Sequence, residues 1–130
     1  MNGLTLGKIV FDTAVLIRFL KKYEGAADLR TLFPDSDLFI SVITEFELLS
    51  YWRITPEEEA KINLLLSDLV VIPFTPEIKR QGIIFRRAAR NKTPDSIIAA
   101  TAITLNAALI THDADFENVK YPGFSVIVLK

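Results

Sequence analysis

No cysteine occurs in the 130 residues, and histidine, methionine and tryptophan occur once each. Disulfides and thiolate metal sites are therefore excluded, which fits a cytoplasmic protein. Met1 to Gly7 lacks the basic segment and long apolar run of a secretion signal. No stretch approaches about 18 uninterrupted apolar residues, so no membrane span is expected. The chain also lacks a P-loop, a G-x-G-x-x-G loop and a G-x-S-x-G nucleophile elbow. Charge of one sign is missing too. The net charge is −1, so a nucleic-acid partner has to be read from local clusters, not from the total.

Half of the residues are apolar and about a quarter are charged, the balance of a globular chain. The length suits a single domain over residues 1–130. Mean hydropathy is mildly positive. That follows either from Ile- and Leu-rich packing or from an apolar surface covered by a partner.

Short apolar runs alternate with helical patterns along the whole chain. Strands are expected at Lys8–Phe11, Leu38–Val42, Val70–Phe74, Ala108–Ile110 and Ser125–Leu129. Thr13 is placed to cap a first helix carrying Val15, Leu16, Phe19 and Leu20, which ends at Lys21, Lys22 and Gly25. A short helix fits Ala26–Phe33, and another fits Thr44–Trp52, with Tyr51 and Trp52 in the core. Thr-Pro pairs at Thr55, Thr75 and Thr93 start three more helices by the same cap-then-proline logic. A loop with one helical turn follows Asp115. An α/β fold of three layers is expected, with a mainly parallel sheet of four to five strands flanked by helices.

Acids collect where such a sheet opens. In open α/β sheets the ligand crevice lies beyond the carboxyl ends of the strands. Asp12 ends the first strand, and Glu47 lies on the helix after the second. Asp113 and Asp115 follow the fourth strand, and Asp95 sits in the first turn of the helix leading into it. Each has an ordinary alternative. Asp12 suits a helix cap, Glu45 and Glu47 a solvated face, Asp95 a helix dipole, and Asp113 and Asp115 a turn. Converging together without a cation, they would repel. A hard divalent ion resolves the conflict, and Mg²⁺ or Mn²⁺ suits an all-oxygen set better than Zn²⁺. Such a site can activate water and stabilise the leaving oxygen of a phosphodiester.

Four segments in order carry a resemblance: Ile9-Val10-Phe11-Asp12-Thr13, Ile40 to Leu48 (I-S-V-I-T-E-F-E-L), Pro94 to Ala102 (P-D-S-I-I-A-A-T-A) and Leu109 to Phe116 (L-I-T-H-D-A-D-F). Together they resemble the PIN-domain ribonucleases, in particular the VapC-like toxins of type II toxin–antitoxin pairs. The resemblance implies a metal-dependent endoribonuclease. Asp12, Glu47, Asp95 and Asp113 would hold Mg²⁺ or Mn²⁺, with Asp115 as an additional ligand. Thr13, Thr44 and Thr111 would orient the acids or serve as caps. It assigns the second acid to Glu47 over Glu45. It also implies an RNA substrate, a cognate antitoxin and a homodimer. Two positions depart from the pattern: Ala14 where Asn or Ser is usual, and His112 where Arg or Asn is common.

Lys79, Arg80, Arg86, Arg87, Arg90 and Lys92 form the densest basic segment, and it leads to Asp95. It suits either an approaching RNA backbone or a solvated helix face. Two other functions are weighed. One is a PIN-like module that binds RNA or protein with weak or no cleavage. The other is a phosphatase or phosphoreceiver, against which Ala14 stands where a D-x-D motif needs its second acid.

Overall fold

Side chains of a strand alternate between the two faces of its sheet, so short Ile, Val, Leu and Phe runs need cover on both sides. The computed structural model describes residues 7–22 and 29–130. Five strands form in it: β1 (Lys8–Phe11), β2 (Asp37–Ser41), β3 (Val70–Ile72), β4 (Ala108–Thr111) and β5 (Ser125–Val128). Between them run α1 (Thr13–Lys22), α2 (Leu29–Leu32), α3 (Val42–Leu49), α4 (Pro56–Leu66), α5 (Pro76–Ala89) and α6 (Thr93–Leu105). Gly25, the expected stop of α1, and residues 26–28 of the expected second helix lie outside the described residues.

The sheet has the order β3-β2-β1-β4-β5, and every neighbouring pair is parallel. Strand alternation divides the interior into two cores. Ile9 and Phe11 of β1 join Leu16, Leu38, Ile40, Leu48, Ile62, Leu65 and Ile110 on one face. Val10 joins Phe85, Ile98, Ala99, Ala102, Leu109 and Phe116 on the other. Residues of α1 to α4 thus cover one side and those of α5 and α6 the other, which makes the three expected layers. α6 lies between α5 and the sheet, so it is apolar around most of its surface, and Ile98 to Ala102 are all buried. Gly82 of α5 backs onto it. A Cβ built there would meet the Ala100 Cβ at 3.6 Å.

Topology places the crevice. The chain moves outward from β1 through β2 to β3, crosses back, and continues from β4 to β5. The connections leaving β1 and β4 therefore diverge, and a gap opens beyond the carboxyl ends of these two neighbours.

Caps decide several boundaries differently from the apolar pattern. β2 ends at Ser41, not Val42, because Ser41 Oγ accepts from Ile43 N at 3.0 Å and starts α3 two residues before Thr44. α3 closes at Leu49, short of Trp52. Tyr51 and Trp52 are consequently exposed and not in the core. Trp52 is 79% exposed, with the Arg53 guanidinium 4.3 Å from its ring centre. β3 stops at Ile72, before Pro73, which has no N–H to give a ladder. β5 stops at Val128, one residue before Leu129.

Thr55 and Thr75 cap as expected. Thr55 makes a reciprocal capping box with Glu58, and the Thr75 hydroxyl accepts from Ile78 N at 3.1 Å. Thr93 does not cap. It is already helical, and Lys92 holds the cap position without a side-chain hydrogen bond. Nor does Thr13 cap α1. It is the first helical residue, and its hydroxyl is engaged elsewhere.

Candidate active site

Asp12 is the residue immediately after β1, and its backbone N–H donates to the Ile110 carbonyl of β4 at 2.9 Å. That bond continues the sheet by one residue and fixes where the carboxylate emerges. The side chain is buried, at 7% exposure. Both its oxygens accept hydrogen bonds. Oδ1 takes the Thr13 N–H at 2.8 Å, and Oδ2 takes the Thr111 hydroxyl at 2.6 Å. These donors fix the orientation of the carboxylate. Oδ1 meets only the first N–H of α1, and the Val15 N–H goes to the Asp12 backbone carbonyl at 3.2 Å, so the side chain makes no helix cap of the usual kind.

Thr111 ends β4 and joins two acids. Its hydroxyl donates to Asp12 and accepts the Asp113 N–H at 3.0 Å. Asp113 Oδ1 in turn accepts the Asp115 N–H at 2.9 Å and caps the single 3₁₀ turn Ala114–Phe116. The Asp113 carboxylate is thus held at the sheet edge. Asp115 serves this link through its backbone, and its side chain is exposed.

Thr13 and Thr44 perform the same task on the other side of Asp12. The Thr13 hydroxyl donates to Glu47 Oε1 at 2.7 Å and shares a hydrogen bond of 3.1 Å with the buried Thr44 hydroxyl. α1 and α3 are thereby tied together, and Glu47 is turned toward Asp12. Glu45 is half-buried and Glu47 exposed, the reverse of what a solvated Glu45 implies. The contact with Thr13 singles out Glu47 all the same.

Asp95 brings the set together. It lies in the first turn of α6 and is half-buried. Its pKa is pushed up to about 6, first by burial and then by the charges of Asp12, Asp113 and Glu47, with Lys92 opposing. A carboxyl that feels three others shows that elements far apart in sequence deliver acids to one place. The order of those three influences also puts Asp12 first.

The donor set decides whether a metal ion suits these residues. Four carboxylates offer only hard oxygen ligands, and beside Asp95 only Lys92 counteracts their repulsion. Among the described residues no three acidic or imidazole side chains are gathered closely enough to enclose an ion as they stand. The donor chemistry, all carboxylate oxygen, is of the kind that suits Mg²⁺ or Mn²⁺.

The basic residues divide by position. Lys79, Arg86, Arg87, Arg90 and Lys92 are all exposed. Arg86, Arg87 and Arg90 end α5, next to Lys92 and the start of α6. Lys79 lies about 16 Å further back along the helix, at 1.5 Å per residue, and so is separated from the acids. Arg80 is paired with Glu77 at 2.7 Å. One contact of a cation was not evident from sequence. Arg18 Nη1 of α1 lies 3.2 Å from His112 Nδ1. Arg18 and His112 are 94 positions apart, and no motif or periodicity links them.

A model of the PIN domain family matches residues 9–121. No curated protein matches the chain. Several solved structures share the fold. VapBC2 from Rickettsia felis, bound to a DNA fragment from its promoter, includes a chain that is 21% identical with a TM-score of 0.78, covering 93% of this chain and 98% of that one. A toxin-antitoxin complex from Klebsiella pneumoniae includes a chain that is 26% identical with a TM-score of 0.70, covering 92% of this chain and 96% of that one. VapBC-5 from Mycobacterium tuberculosis, a member of the VapBC family of toxin-antitoxin systems, includes a chain that is 22% identical with a TM-score of 0.68, covering 95% of this chain and 99% of that one.

Proposed function

The chain belongs to the PIN domain family, and from that premise we propose that it is a metal-dependent endoribonuclease, the toxin of a toxin–antitoxin pair, with residues 1–130 forming one PIN domain. One observation carries the chemistry: burial and the charges of Asp12, Asp113 and Glu47 together push the carboxyl of Asp95 up to about 6. The solved VapBC structures of the same fold support the toxin role and an antitoxin partner.

Asp12, Glu47, Asp95 and Asp113 would hold Mg²⁺ or Mn²⁺, with Asp115 as the more peripheral ligand. When bound, the ion supplies Lewis-acid charge for water activation and for the phosphodiester oxygens. The protein's own part is positioning. Thr111 holds Asp12 and braces the backbone of Asp113, and Thr13, backed by Thr44, holds Glu47. Arg86, Arg87, Arg90 and Lys92 at the α5–α6 corner would meet the RNA backbone, and Lys79 would contribute little.

The proposal includes a homodimer and a cytoplasmic location. No helix among the described residues is long and apolar enough to cross a membrane. Large apolar side chains are exposed at Phe46, Trp52 and Leu64, and partner chains would cover such surface. A second function, a PIN-like module that binds without strong cleavage, is favoured by the lack of a closed ligand cage among the described residues. Cleavage of a labelled single-stranded RNA in Mn²⁺ by the wild type and by Asp95→Asn separates the two. Loss of about 100-fold or more in the variant is expected. No cleavage by the wild type, or equal cleavage by both, would remove the catalytic assignment.

A further inference from the structure

We infer that the cavity between the end of α5 and residues 118–121 is a nucleotide-binding subsite, which takes one base of a single-stranded RNA together with its phosphate. The inference rests on the RNA substrate proposed above.

The cavity measures about 350 Å³, with Ala88 and Ala89 on one side and Asn118, Lys120 and Tyr121 on the other. That volume lies in the range of small-ligand sites. The two walls differ in character. Ala88 and Ala89 carry only a Cβ each, which leaves depth for a flat ring. The opposite wall carries the chemistry. Tyr121 is half-buried and packs on Phe85, with ring centres 5.2 Å apart and planes inclined by 65°. Phe85 thereby fixes the Tyr121 ring, and the part that lines the cavity can stack on a base. Asn118 is exposed, and its amide offers a donor beside an acceptor for the edge of that base. Lys120 is exposed and supplies charge for the phosphate.

Charge favours an anion here. Among the described residues no carboxylate lines the cavity. Glu117, beside Asn118 in the chain, is paired with Lys130 at 3.4 Å. Arg86 is exposed one turn before Ala89, so it neighbours the cavity wall on the helix surface. A second cavity, of about 260 Å³ at the starts of β2 and β3, contrasts with this. Asp37 and Asp68 line it, and its Arg30 is paired with Asp68 at 3.9 Å, so a polyanion is repelled there. Both walls of the first cavity continue into segments that carry acids of the candidate site. α5 leads through Arg90 to α6, with Asp95 in its first turn, and Asn118 follows the 3₁₀ turn that Asp113 caps.

The test measures binding of a fluorescein-labelled single-stranded RNA by anisotropy, in EDTA, across a salt series. Wild type, Ala88→Leu, Asn118→Ala, Lys120→Gln and Lys61→Gln are compared. Thermal midpoints check folding, and sedimentation checks the oligomeric state. Ala88→Leu fills the cavity from an exposed helical position where leucine is a good helix former. It should weaken binding about 10-fold and leave the slope of log K against log salt unchanged. Asn118→Ala should weaken binding about 3- to 5-fold, also at constant slope. Lys120→Gln should weaken binding and flatten the slope by about 0.7. Lys61→Gln, on α4 across the sheet, should change neither quantity. In Mn²⁺, Ala88→Leu should raise KM with kcat within about twofold. If Ala88→Leu does not fold, the two loop variants decide. Unchanged affinity in the folded variants, absence of RNA binding by the wild type, or a fall in kcat at constant KM would each overturn the inference. So would an altered oligomeric state of Ala88→Leu at constant RNA affinity, which makes the cavity an interface between copies. Failure of the inference with cleavage intact leaves the nuclease function standing. RNA binding that depends on Ala88, Asn118 and Lys120 without any cleavage removes the nuclease function and leaves the subsite.

Discussion

Thr111 serves two acids with one hydroxyl, donating to Asp12 and accepting from the Asp113 backbone. Thr111→Val keeps the shape and removes both bonds, leaving a buried carboxylate oxygen short of a donor. We expect a loss of about 2 kcal/mol, read from the urea midpoint, because hydrogen bonds to charged groups are worth more than neutral ones. An unchanged midpoint would mean that water replaces the hydroxyl. Asp95 gives a pH dependence with a definite sign. Its pKa rises from 3.8 to about 6 on folding, so between those values the native state binds more protons than the unfolded chain. This contribution is fully present below the lower value and is lost as the pH rises through the upper one. In EDTA, the stability of wild type minus that of Asp95→Asn should fall as the pH rises from about 4 to about 7. A flat difference would show that neither burial nor the other acids raise the pKa of Asp95. The positions of Asp12, Asp95 and Asp113 at strand ends and a helix start were legible in sequence, whereas Glu47 lies near the end of α3 and was singled out only by the family resemblance. Thr13, Thr44 and Thr111 were named from sequence as orienting residues or caps, and the structure shows which acid two of them meet: Thr13 meets Glu47 and Thr111 meets Asp12.

At the scale of elements, the Thr-Pro starts separate propensity from context. Thr75 caps α5 through Ile78 N, whereas Thr93 lies inside α6. Thr75→Ala should therefore cost about 1 kcal/mol and Thr93→Ala only a few tenths, measured by thermal unfolding. Equal losses would contradict the observed cap at Lys92. α6 starts one residue earlier than a Thr93 cap would allow. Its first turn carries Asp95 into the crevice, and Ser96 N donates to the Lys92 carbonyl at 2.9 Å. The strands were legible as apolar runs to within one or two residues. Three of the boundaries that moved did so at Ser41, Ser50 and Pro73, where capping or a missing N–H outweighs hydrophobicity. Tyr51 and Trp52 left the core for the same reason. α3 ends before they can turn inward.

For the whole molecule, the proposed function predicts that a divalent ion relieves the repulsion among Asp12, Glu47, Asp95 and Asp113. Millimolar Mn²⁺ should raise the thermal midpoint at neutral pH by several degrees, about 3 kcal/mol at a hundredfold excess over Kd, and much less in Asp95→Asn. No change in the wild type would count against a binding site. The strands and their mainly parallel pairing follow from sequence alone, because strand and helix periodicity are local properties. The strand order with β1 beside β4 was decided only in the tertiary structure. So were the link from Thr13 to Glu47, the distance of Lys79 from the acids, and the meeting of Arg18 with His112. These are contacts between residues far apart in the chain. Side-chain reach and burial set them, and neither leaves a spacing that can be read along one sequence. The elevated pKa of Asp95 belongs with them, since it needs first the burial of its carboxyl in the folded chain and then the charges of Asp12, Asp113 and Glu47.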